Sequence, residues 1–163
     1  MVALIAILFS LCGMFFQDIK SRHIHIILPP IVFLGGAYLL LQNLSWNKSV
    51  EIIAYNLIFL FLTFFILIIY MSLKNRTFQN PFKNYFGLGD LLFYLAVSPL
   101  FVLHNYILFF ILSMIFSIVL FFIFKKFLKK DSIPLAGYAS LLLLILICKD
   151  MLFNYPGITL INL

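Results

Sequence analysis

A chain of 163 residues that is 65% hydrophobic and 10% charged, with a mean hydropathy of +1.18, leaves almost nothing for a soluble domain, where roughly 45–50% apolar and about 25% charged residues are usual. Its length allows about six membrane spans of about 20 residues each. The net charge of +6 comes from lysines and arginines in short gaps between apolar runs, which reads as membrane topology and contact with anionic lipids and excludes nucleic acid as the natural partner. An all-α, polytopic helical bundle forming one membrane-embedded domain over residues 1–163 is expected.

The first apolar run, Val2 to Gln17, has no basic leader region and no small-x-small cleavage site, and Leu11 before Cys12 does not fit a lipoprotein. It is expected to stay as a helix. The second, Ile27 to Gln42, contains Gly35-Gly36, a pair that allows close helix contact. The third runs from Ile52 to Leu73. The fourth, Leu88 to Leu103, is separated from the fifth, Tyr106 to Phe124, by Pro99 and the polar pair His104-Asn105, which favour a break over one long tilted helix. The sixth, Ile133 to Phe153, opens at Pro134, a residue suited to a first helical turn because its missing N–H would lack a helical partner there anyway.

Basic residues orient these runs. The gaps after runs one, three and five carry Lys20, Arg22, Lys74, Arg76, Lys83, Lys125, Lys126, Lys129 and Lys130; the other side holds only Lys48 and Lys149. Nine against two puts the odd-numbered gaps in the cytoplasm and the N-terminus outside. Cys12 and Cys148 lie inside apolar runs and read as core thiols, with no partner at zinc-ligand spacing. His23 and His25 are two residues apart, so a helix would point them to different faces, and no metal or cofactor is implied. Glu51, Asp131 and Asp150 sit at run ends near basic residues and read as solvated partners.

Two acids stand apart: Asp18, just after run one, and Asp90, within Gly87-Leu88-Gly89-Asp90 where run four opens. A carboxylate at a membrane boundary is expensive to keep and marks function by default. The charge count gives both the same depth at the cytoplasmic face, so they form a site if their helices meet. Two close carboxyl groups that hold a single proton can activate water with one member and polarise a peptide carbonyl with the other. The glycines around Asp90 leave room for an unusual turn and for a peptide to approach.

Three segments resemble the type IV prepilin peptidases and preflagellin peptidases, intramembrane aspartic proteases of the GxGD type. Asp18-Ile19-Lys20-Ser21-Arg22-His23-Ile24 is similar to that family's Asp with following basic residues, Gly87-Leu88-Gly89-Asp90 matches GxGD in full, and Ile133-Pro134-Leu135-Ala136-Gly137-Tyr138 looks like the segment that opens the family's last helix. The resemblance implies Asp18 and Asp90 as the catalytic pair, and Gly87, Gly89, Pro134 and Gly137 as residues that bind substrate or shape the site. It implies cleavage of the basic leader of prepilin-like or pseudopilin precursors at the cytoplasmic face of the inner membrane. The chain has neither the length nor the cysteines of the bifunctional members, so no N-methylation is expected. His25 stands where the family usually has Pro, and Leu92 where a Lys usually follows GxGD. A different class of protein, a proton-coupled carrier or a non-enzymatic assembly subunit, could use the same acids to bind ions.

Overall fold

The computed structural model describes residues 1–75, 87–125, 132–152 and 158–160. Each expected apolar run forms a helix: α1 (Val2–Ser21), α2 (Leu28–Asn43), α3 (Trp46–Asn75), α4 (Leu88–Val97, continued by a 3-10 turn at Ser98–Leu100), α5 (Leu103–Phe124) and α6 (Leu135–Leu152). No strand occurs among the described residues. The chain is an all-helical, multi-pass membrane bundle.

Among the described residues, four helices are long and apolar enough to cross a membrane: α1, α3, α5 and α6. They keep much apolar surface on the outside of the bundle; Phe61, Leu62, Phe65 and Ile66 of α3 are all exposed, as lipid-facing side chains should be. α2 has 16 residues and rises only about 24 Å at 1.5 Å per residue, against a hydrocarbon core of about 30 Å. α4 with its 3-10 turn is shorter still. Four of the six apolar runs thus meet the length of a span outright, and the two short helices pack among them.

α2 packs against both α1 and α4, and α6 packs against α1 and α5. The Gly35-Gly36 pair makes the first of these contacts close: a Cβ at Gly35 would lie 2.9 Å from Ile7 of α1, and one at Gly36 would lie 2.9 Å from Leu100 beyond α4. Interior volume is filled by aromatic rings, with Phe101 stacked on Phe109 at 4.9 Å and Tyr94 against Phe110 at 4.7 Å.

The chain breaks at Pro99. Leu95 O accepts from Ser98 N–H and from Ser98 Oγ at 2.8 Å, and Phe101 and Val102 are extended before α5 begins. A broken helix frees backbone carbonyls that hydrocarbon cannot solvate. Asn56 of α3, fully buried, supplies the missing donor: its Nδ2 donates to Ser98 O at 2.8 Å and to Phe101 O at 2.7 Å.

Two expectations fail here. Asp150 is buried, 2% exposed, not solvated: its Oδ2 accepts from Thr159 N–H at 2.9 Å and Thr159 Oγ1 at 2.7 Å, and Lys149 Nζ lies 3.2 Å from its Oδ1. The carboxylate ties the chain beyond α6 back to that helix, while Asn105 Nδ2 donates to Ile158 O at 2.9 Å. Cys12 and Cys148 are exposed rather than core thiols, because the helical turn that buries Leu11 and Ile147 turns their neighbours outward. Arg76, Lys83, Lys126, Lys129, Lys130, Asp131 and Phe153 lie outside the described residues.

Replacing Asn56 by Leu leaves two buried carbonyls without their donor and is expected to destabilise the protein by about 1–3 kcal/mol, measured as a lower unfolding midpoint in detergent.

Candidate active site

The site is assembled from three helix ends. α1 continues a full turn past its apolar run, through Asp18 to Ser21, and is closed by Arg22, whose N–H donates to Asp18 O at 3.0 Å. Arg22 is left-handed (φ 62°, ψ 24°), the sole non-glycine residue with positive φ among the described residues. The following loop is tied back to α1: Gln17 Oε1 accepts from His25 N–H at 2.8 Å, and Ser21 Oγ donates to His23 O at 3.3 Å. Asp18 itself points inward and is 7% exposed.

α4 begins at Gly87, extended at φ −72° and ψ 140°, with Asp90 in the first turn. The Asp90 carboxylate folds back so that Oδ2 accepts from Gly87 N–H at 3.2 Å, the side-chain half of a capping box. A Cβ at Gly87 would stand 3.0 Å from that same oxygen. Gly89 has another use: a Cβ there would sit 3.3 Å from Ile24 Cδ1, so this glycine seats the α1–α2 loop against the opening of α4. Room expected for a peptide is taken up at this position by the protein's own Ile24.

The first turn of α6 joins the two acids. A helix N-terminus leaves four amides without intrahelical partners, and here each amide is accounted for. Pro134, buried just before the helix, contributes no N–H at all. Leu135 N–H donates to Ile133 O at 3.0 Å. Ala136 N–H donates to Asp90 Oδ1 at 2.8 Å, Gly137 N–H donates to Asp18 Oδ2 at 2.7 Å, and Tyr138 N–H returns to Pro134 O at 3.0 Å. Successive amides of one helix therefore hold one carboxylate each, side by side, at the end where the helix dipole favours negative charge. The two acids lie within electrostatic reach of one another, and the Arg22 guanidinium lies within reach of both.

Gly137 is the tightest point. A Cβ there would lie 3.0 Å from Asp18 Oδ2 and 3.1 Å from Asp18 Cβ, so the absence of a side chain lets the α1 carboxylate reach the amide. Behind Asp90, Tyr94 OH hydrogen-bonds Ser113 Oγ at 2.8 Å, and Ser117 Oγ donates to Ser113 O at 2.7 Å, a buried polar seam between α4 and α5. On the other side, Leu91 borders an apolar groove along α3 lined by Ile58, Phe61, Leu62, Phe64, Phe65 and Ile68. Of the two departures from the GxGD pattern, His25 is exposed and Leu92 is half-buried on α4. No group of three His, Cys, Asp or Glu able to hold a metal occurs among the described residues.

The chain matches no protein-family model, no curated protein and no solved structure. What the site can do has to follow from its geometry.

All six residues singled out from the sequence, Asp18, Asp90, Gly87, Gly89, Pro134 and Gly137, lie within this one constellation or directly beside it. α1 and α4 are not joined by lying side by side; α2 packs against both, and α6 bridges the acids. Sequence reasoning missed that the Ala136 amide holds Asp90 and that Arg22 lies within electrostatic reach of both acids. A proline opening a helix is a sign that the next amides will seek acceptors from outside, and that sign was present.

Gly137→Ala is expected to cost about 1–3 kcal/mol of stability through overpacking against Asp18. In an Asp18→Gly background the same substitution should cost less than half as much, because the Asp18 Oδ2 and Cβ that it would meet are both gone; a double-mutant cycle of unfolding midpoints reads the difference.

Proposed function

We propose that this chain is an intramembrane aspartic endopeptidase that removes the basic leader of type IV prepilin-like precursors, without methylating the new terminus. The observation that carries the reading is the seating of Asp18 and Asp90 on the successive amides of Ala136 and Gly137. Hydrolysis by two carboxyl groups needs them close, fixed and sharing one proton, and backbone amides fix them without exchanging protons themselves.

In the reaction the ionised member takes a proton from water as the water oxygen bonds to the scissile carbonyl carbon, and the protonated member gives its proton to the carbonyl oxygen. Collapse of the tetrahedral intermediate then reverses both transfers. The first acid protonates the leaving nitrogen, the C–N bond breaks, the second acid recovers a proton from the hydroxyl, and the carbonyl re-forms. The pair ends in its starting state.

The nine-to-two distribution of basic residues favours six spans with the N-terminus outside and the acids at the cytoplasmic face of an inner membrane, where a basic leader would lie. Lys20, Lys74 and Lys125, at or near the ends of α1, α3 and α5, suit anionic lipid headgroups. A carrier would be expected to hold its acids near the midplane. Asp18 is in the last turn of α1 and Asp90 in the first turn of α4, which favours the peptidase.

Asp18→Asn and Asp90→Asn are each expected to lower cleavage of a co-expressed precursor by at least about 10³-fold while the protein still inserts, measured by the mobility shift of the processed product. Normal processing by an inserted Asp90→Asn variant would sink the proposal.

A further inference from the structure

The Arg22 side chain has no role within the site so far. The residue's backbone occupies the left-handed conformation at the end of α1, a position that glycine fills without steric penalty and an arginine does not. A non-glycine residue kept in such a conformation points to a use for its side chain. The tip of that side chain is withdrawn from solvent: Nη1 is buried and has no hydrogen-bond partner among the described residues. The guanidinium is within electrostatic reach of Asp18, Asp90 and Tyr138, yet among the described residues it forms no ion pair with either acid. A buried, charged donor without an acceptor is costly, so a polar group from outside the described chain is the natural partner.

We propose that Arg22 is a substrate-contact residue, whose buried Nη1 donates to a backbone carbonyl oxygen of the bound peptide next to the bond that is cut. This rests on the peptidase reading above. Three features select a peptide carbonyl. The unpaired nitrogen is buried and the guanidinium lies within electrostatic reach of both acids, which disfavours a lipid phosphate. Two neighbouring carboxyl groups would repel a third brought by a ligand. A neutral carbonyl accepts from a guanidinium at no such cost, and its oxygen is a fixed feature of every peptide, so the contact would position the chain whatever its side chains.

The test is steady-state cleavage, in nanodiscs, of a synthetic precursor with a short basic leader followed by an apolar helix. The variants are Arg22→Gly, which keeps the left-handed turn and removes the guanidinium, and Arg22→Lys, which keeps a charged donor but loses the planar fork. Loss of one charge-assisted hydrogen bond predicts a KM raised about ten- to hundredfold for Arg22→Gly, with kcat changed far less, an unfolding midpoint no lower than wild type, and partial rescue by Lys. An unchanged KM, or an effect confined to the pH profile of kcat, would overturn the proposal, since Arg22 would then act on the carboxyl groups alone. A second precursor, with acidic side chains near the cut replaced by their amides, should show the same Arg22→Gly penalty; disappearance of the penalty would assign the contact to a substrate carboxylate and overturn the carbonyl assignment. No cleavage by wild type would overturn the peptidase reading itself, and is distinguishable from a wild type that cleaves and an Arg22→Gly variant that matches it.

Discussion

The amides of the first turn of α6 are the constraint on which the rest depends. Inside a membrane protein a helix cannot begin without acceptors for its free N–H groups, and Pro134 at the head of α6 rules out simply extending the helix backwards. The chain answers with two carboxylates from two other helices. The requirement runs both ways: buried carboxylates need donors, and these two receive backbone donors whose positions are fixed by the helix. Structural need and site geometry are therefore met by the same two hydrogen bonds.

Around this junction the small residues act as spacers of defined depth. Gly137 lets Asp18 in, Gly89 receives Ile24, and Gly35 and Gly36 bring α2 close to Ile7 and Leu100. Each glycine thus sets how far one helix stands from its neighbour. Asn56 does the corresponding work at the Pro99 break, where the freed carbonyls of Ser98 and Phe101 share one side-chain amide. The bundle tolerates the interruption at Pro99 because one polar side chain replaces backbone bonds that the broken helix lacks.

Much of this was legible in the sequence, and the boundary between what was and was not is physical. Apolar runs and their breaks report helices directly, so the positions of all six emerged, as did the interruption at Pro99. The acids and the glycines stood out because they are rare in such a chain. Partnership did not show. Asp150 resembled any interfacial acid beside a lysine, since nothing near it in sequence announces that Thr159 will fold back to cap it. Cys12 and Cys148 looked internal because a helix that is apolar all round carries little signal for which face is buried. The bridge through α6 was hidden for a related reason: its donors are backbone groups, which every residue but proline possesses.

The junction also imposes an order on biosynthesis. Asp90 and Ala136 are 46 residues apart, and Asp18 and Gly137 are 119 apart. While the ribosome is still making the chain, α1 and α4 carry acids whose final donors have not been synthesised. At about 5–20 residues per second, Asp18 waits at least several seconds for Gly137 to emerge. The last helix thus completes the constellation, and a nascent chain truncated before it would hold both acids without the frame that brings them together.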